Sequence, residues 1–269
     1  MTIASRDDLI NALGNNSTSL VISKASLSSQ LLGGFTSLWR SAGIPAQGAI
    51  PTTVAICDNT TLGGFTFPNP TAPIKTYLAR LFFVSGNTGT DVQIHDRLAH
   101  AGGKSGTVTT AQTVNVDASD VALVDRRGDA NYSDVQWWLE WYTATGSTAT
   151  TFTCAVTYDD GSTANIAVSV SASYAASRML AINSTTAGRF IRSIQTVTLS
   201  ASTLTAGNFG VTATRALCGV SLGLANAGEV ADWAYLGLPR VNDSACLTMV
   251  TINGTTSSGV LYGSGKLAQ

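Results

Sequence analysis

The chain has 269 residues, a formal net charge of −1 and only 12% charged side chains. A near-neutral chain lacks the clustered Lys and Arg that grip nucleic acid, and no run of about 20 apolar residues is present to span a bilayer. Charge at about half the usual fraction leaves Thr, Ser, Asn and Gly to supply the polar surface, which favours strands and turns over helices and suits a surface covered in an assembly.

The length fits one large all-β domain or two small ones. The N-terminus carries no basic-then-apolar leader pattern. Residues 5–14 predict a short helix, with Ser5 as cap, Asp8 in the first turn, Gly14 at the exit and Leu9, Ile10 and Leu13 as a narrow apolar stripe. Residues 26–42 predict a second helix, because Leu27, Leu31, Phe35, Leu38 and Trp39 recur at helical spacing before Gly43 and Pro45. Gly33 and Gly34 oppose it by about 1 kcal/mol each relative to Ala. Residues 44–75 are rich in Pro, Gly, Thr and Asn and predict a long arm, extended at Phe65-Thr66-Phe67-Pro68. Residues 1–75 are therefore expected to form an N-terminal helical and extended arm, and 76–269 a β-sandwich body.

From Thr76 onward the pattern is strand and turn. Tyr77–Ser85, Asp91–Ala99, residues 135–145, Phe152–Tyr158, Ile166–Val170, Ile191–Ser200, Asn208–Leu217, Cys246–Asn253 and Val260–Leu267 predict strands. Asp160-Gly161 supplies a tight hairpin turn. A short helix is expected at Glu229–Leu236, stopped by Gly237 and Pro239. The fold class expected is mainly β, a two-sheet sandwich or jelly-roll-like body.

The stretch Val135–Tyr142 holds three of the five tryptophans. On a strand, Trp137, Leu139 and Trp141 face one way and Trp138, Glu140 and Tyr142 the other. A strand aromatic on both faces is either central in a layered core or covered on its outer face by another subunit. Aromatic residues are favoured at interface centres. The second alternative makes Trp138 and Tyr142 the expected subunit contact, with Phe65, Phe67 and Trp39 of the arm as further interface residues.

No constellation for catalysis emerges. His95 and Asp96 point to opposite faces of a strand, which spoils a dyad, and the histidines, His95 and His100, are expected to be exposed or at an interface. Gly103-Lys104-Ser105 has Leu98 where a phosphate-binding loop needs its first glycine, so a Gly-rich connector is expected. Arg127-Gly128-Asp129 reads as a turn within the charged loop Asp125–Asp129, and Asp159-Asp160 as turn chemistry. Cys57, Cys154, Cys218 and Cys246 are widely spaced with no C-x-x-C, which reads as buried thiols and not as zinc ligands. No catalytic, cofactor or metal residue is assigned.

Three segments together resemble virion structural proteins of tailed bacteriophages: Asp96–Thr107, Val135–Tyr142 and Asp232–Arg240. The resemblance covers the chain from about residue 25 to its end and implies a setting, the phage particle. Within it, low charge and a β-rich body suit a non-enzymatic capsid decoration (cement) protein. Such a protein would be a homotrimer binding the major capsid protein on the shell exterior, with no cofactor, nucleic acid or membrane as partner. A tail or neck subunit, and a receptor- or carbohydrate-binding module, are the alternatives.

Overall fold

The computed structural model describes residues 3–269. In chain order, α1 (Arg6–Asn15) leads into β1 (Ser17–Lys24), β2 (Phe35–Ser37), β3 (Gly43–Ile44) and β4 (Ala55–Ile56). Then follow β5 (Thr76–Ser85), β6 (Thr90–Lys104), β7 (Gln112–Asp117), β8 (Gln136–Thr143), β9 (Thr150–Tyr158) and β10 (Thr163–Val170). β11 (Arg178–Ala181), β12 (Ile191–Leu199), β13 (Asn208–Leu222) and β14 (Gly228–Asp232) precede the one-turn α2 (Trp233–Leu236). β15 (Arg240–Val241), β16 (Leu247–Ile252) and β17 (Leu261–Ala268) complete the chain. The fold is mainly β with sandwich-like layering and an N-terminal helix, as the composition and alternation require. No helix among the described residues is long and apolar enough to cross a membrane.

The chain divides into two compact units that do not follow the expected boundary at residue 75. Unit 1 gathers residues up to Gly48, Asp58–Asp96 and Leu217–Gln269; unit 2 takes Ala49–Cys57 and Arg97–Ala216. In unit 1 the strand order β14–β5–β17–β1–β3 forms one sheet, with β15 also on β5, and β16 lies between β2 and residues 91–96 of β6. Leu20, Ile22, Leu81, Phe83 and Leu261 of the first group share one core with Val92, Ile94, Leu247 and Met249 of the second. In unit 2 the order is β10–β9–β12–β7, while β8 pairs with β11 and with residues 208–214 of β13. Their shared core includes Trp137, Leu139, Trp141, Phe152, Val156, Val197 and Phe209.

Local chemistry explains where the expected elements formed. At α1, the Ser5 hydroxyl accepts from the Asp8 amide while the Asp8 carboxylate accepts from the Ser5 amide, a reciprocal capping box. Its Leu9 and Ala12 pack on Ala79 and Ala268, the docking that so short a helix needs. β9 alternates buried and half-buried residues along its length and turns through Asp160-Gly161 into β10.

Two expectations are corrected. No α-helix forms over 26–42: Gly33 sits at φ +70°, where helix cannot continue, Phe35–Ser37 pair with β16, and Leu38–Arg40 make a single 3-10 turn. Helical spacing of the leucines was a coincidence, since Leu31 and Leu32 are exposed. Residues 229–232 are strand β14 rather than helix, and only Trp233–Leu236 turn, capped by the Asp232 carboxylate and ended by Gly237 in the left-handed conformation.

Trp141 is the centre of the unit 2 core, fully buried, with ring centroids of Tyr174 at 4.4 Å, Phe152 at 5.8 Å and Phe209 at 6.4 Å. We expect Trp141→Ala to destabilise the protein by about 3–5 kcal/mol, read as a lowered denaturant midpoint in equilibrium unfolding. An unchanged midpoint would show that the strand is not the core of the unit.

Candidate functional site

The polar face of β8 holds the chemistry that sequence reading left unassigned. β8 places Glu140 and Tyr142 on the face opposite Trp137, Leu139 and Trp141, and β13 sets Thr212 and Thr214 beside them. β6 brings Arg97 and His100 to the same place. The Arg97 guanidinium donates to Glu140 Oε2 at 2.6 Å, to His100 Nδ1 at 2.7 Å and to Thr212 Oγ1 at 3.2 Å. Thr212 Oγ1 donates to Glu140 Oε2 at 2.5 Å, and the Tyr142 hydroxyl lies 3.3 Å from the same oxygen. All five side chains are buried.

The electrostatics follow from that burial. Desolvation is the largest single effect and works against the Arg97 charge, but Glu140, Tyr142 and Cys57 together outweigh it and hold the guanidinium protonated. Burial, reinforced by the Glu140 charge, pushes the Tyr142 phenol above its ordinary value and keeps it neutral. Burial and then the Arg97 cation depress His100, so Nδ1 stays free to accept. His100 also shares a hydrogen bond with the buried Cys57. A nucleophile, an imidazole and a carboxylate are thus close together, but sealed from solvent. The arrangement neutralises a charge pair inside the unit.

The predicted interface residues are a second correction. Trp39, Phe65, Phe67, Trp138 and Tyr142 are all buried in the chain itself, so none presents a surface to a partner. Trp138 Nε1 donates to Thr214 Oγ1 at 2.9 Å. Gly48 lies so close to the Trp39 ring that a Cβ there would fall 1.9 Å from Cε2. The Phe65 amide donates to the Leu247 carbonyl, and Asn59 Nδ2 to the Phe67 carbonyl, which folds this part of the expected arm back onto unit 1. Large aromatic side chains serve cores and interfaces equally well, and their identity alone does not separate the two.

The remaining motifs are structural. His95 is fully buried with Nε2 2.9 Å from Gln93 Oε1, and His100 is buried as well, so neither histidine is exposed as expected; Asp96 Oδ1 accepts from the Cys246 amide at 2.8 Å. Arg126 is buried and donates to the Cys57 and Arg97 carbonyls, and Arg127 stacks 4.9 Å over the Tyr132 ring. The Arg-Gly-Asp tripeptide is therefore a turn whose arginine points inward, not an exposed charged loop. Gly102–Lys104 end β6 and lead to a turn without a helix. Asp159 and Asp160 flank the hairpin turn, with Arg189 as their ion-pair partner. Cys57, Cys154 and Cys246 are buried, and Cys218 is half-buried.

Exposed apolar side chains gather elsewhere, on the outer face of the unit 1 sheet, where Val21, Val230 and Tyr262 stand out with Phe82 and Val84 half-buried among them. On α2, Trp233 and Tyr235 are also exposed.

A scan of protein-family models finds no match for the chain. A search of curated proteins finds no match either. Among solved structures, the chain is similar to the VP2 subviral particle of infectious bursal disease virus at 12% identity, covering 94% of this chain and 80% of that one, with a TM-score of 0.23. The same virus's Gx strain matches at 11% identity over 94% and 79%, with a TM-score of 0.22. Superpositions this loose carry no weight for function.

Two outcomes test the buried cluster. Glu140→Leu leaves Arg97 buried without its counter-charge and should cost about 3–5 kcal/mol, whereas the double change Arg97→Met with Glu140→Leu should cost far less, both by denaturant unfolding. Acid should also destabilise the fold. Burial lowers His95 from 6.5 to about 4. Below pH ~6.5 the unfolded chain binds a proton that the folded chain refuses, so stability falls by about 1.4 kcal/mol per pH unit until about pH 4, and His100 acts in the same direction. Melting temperatures between pH 7 and 4.5 check this, and His95→Gln should flatten the slope.

Proposed function

We propose that the chain is a non-enzymatic structural subunit of a tailed-bacteriophage particle, a decoration protein that binds the outside of the capsid shell and braces it. The observation that carries this reading is the resemblance of Asp96–Thr107, Val135–Tyr142 and Asp232–Arg240 to phage virion proteins. The first two of these segments supply Arg97, His100, Glu140 and Tyr142 to the buried cluster. The residues that carry the likeness thus build a rigid frame, as a structural subunit requires.

Surface chemistry supports the same reading. Of the 15 Lys and Arg and 16 Asp and Glu, Lys24, Asp96, Arg97, Arg126, Arg127 and Glu140 are buried, which leaves a surface with few charges. A surface of Thr, Ser, Asn and scattered apolar side chains suits repeated weak contacts, which become strong when many are made at once. The partners proposed are the major capsid protein and further copies of this chain in a homotrimer. A tail or neck subunit is the neighbouring reading. The exposed Trp233 and Tyr235 favour, as a second reading, a module that stacks saccharides on aromatic rings.

Copy number decides among these. Quantitative mass spectrometry of purified particles should give a stoichiometry comparable to the major shell protein, and purified protein should bind particles stripped of it. A few copies per particle would move the chain to the neck or tail, and glycan binding by the isolated protein, lost in Trp233→Ala, would favour the saccharide module.

A further inference from the structure

The outer face of the β14–β5–β17–β1 sheet carries exposed apolar side chains beside a depression. Strand pairing fixes the layout: Val230 lies opposite Phe82, Phe82 opposite Ser264, and Ser264 opposite Val21. One row along, Val84 lies opposite Tyr262, and on the other side Arg80 opposite Lys266. Val21, Val230 and Tyr262 are 58%, 54% and 55% exposed, a high cost for apolar groups lying together in water.

The face has both a socket and a knob. The socket is a depression of about 370 Å³ lined by the apolar Phe82 and Val230, by Ser264 and Gly265, and by the cationic Arg80 and Lys266. The knob is Tyr262, two residues before Ser264 on the same strand and so about 7 Å away. We propose that this face is a two-fold contact with a second copy of the chain, in which Tyr262 of each copy enters the depression of the other.

Three arguments commit the face to a second copy. Knob and socket lie on one face, so a two-fold axis parallel to the sheet and above it, passing midway between them, seats both at once; an isologous contact needs no other surface. Charge also matches, because the cationic end of the socket meets the electron-rich ring that enters it. Area sets the strength. Four strands about 4.8 Å apart and five residues of about 3.4 Å bound a face of a few hundred Å² per copy, below the ~800 Å² per partner of a stable complex. The contact is therefore weak between free molecules and strengthens only when copies are already held in an array. It holds whether the free protein is a monomer or a trimer, and it does not depend on the particle reading.

Sedimentation equilibrium of the full chain from about 10 μM to about 1 mM tests it. The expected result is a reversible doubling of mass at the high end, monomer to dimer or trimer to hexamer. Tyr262→Ala and Val230→Asp should each weaken the doubling at least about tenfold with the circular dichroism spectrum unchanged. Leu204→Ala, an exposed position in unit 2, should leave it intact. Absence of doubling up to about 1 mM, or a doubling insensitive to both changes on the face, would overturn the proposal.

Discussion

A carboxylate buried in the middle of a strand is the constraint on which unit 2 depends. Glu140 is out of water, and its charge is tolerated only because Arg97, Thr212 and Tyr142 converge on it. The same strand turns Trp137, Leu139 and Trp141 into the hydrophobic core on its other face. Side chains alternate with a period of two, so a slip of one residue would bury Glu140 among aromatic rings and push Trp141 against Arg97. Apolar packing makes β8 a core strand, and the ion pair fixes which residue faces which way. The pairing of β8 with β13, residue by residue from Phe209 to Thr214, inherits that register.

Much of this was legible in the sequence wherever local pattern and tertiary demand agree. Alternation gave β8, β9 and β10 together with the Asp160-Gly161 turn, and the Ser5 and Asp8 pair gave α1. It failed where the two part. Leu27, Leu31 and Phe35 keep helical spacing, yet the chain there is governed by Gly33 and by pairing of Phe35–Ser37 with β16. β1 escaped notice because Ser17–Lys24 mixes polar and apolar residues, with Lys24 buried and its ammonium donating to the Ser41 and Pro45 carbonyls. The predicted interface aromatics were misplaced for a related reason: burial is a property of what lies above a side chain, which one strand's pattern does not contain. The buried cluster was hidden in plain view, since Arg97 and His100 are far from Glu140 in sequence and each alone reads as a surface residue.

The surface that remains is unusual for its neutrality. With several of its few charges spent on internal pairs and carbonyl caps, the molecule presents hydroxyls, amides and isolated apolar groups. Repulsion between copies is correspondingly small, and crowding of copies at one place is cheap. That property suits a chain that acts by position and number, and ill suits one that must stay dispersed at high concentration.

The order of segments in unit 1 has a consequence for how the protein is made. β17, synthesised after both of its neighbours, lies between β1 and β5 in the sheet, bonded to both. Residues 97–216 of unit 2 are complete long before then, while β1 and β5 wait with open edges for residues 261–268 to emerge. Synthesis therefore imposes a sequence of events, with unit 2 able to close early and the unit 1 sheet closing only once residues 261–268 have emerged. During that interval the exposed edges of β1 and β5 are the part of the nascent chain most in need of a chaperone.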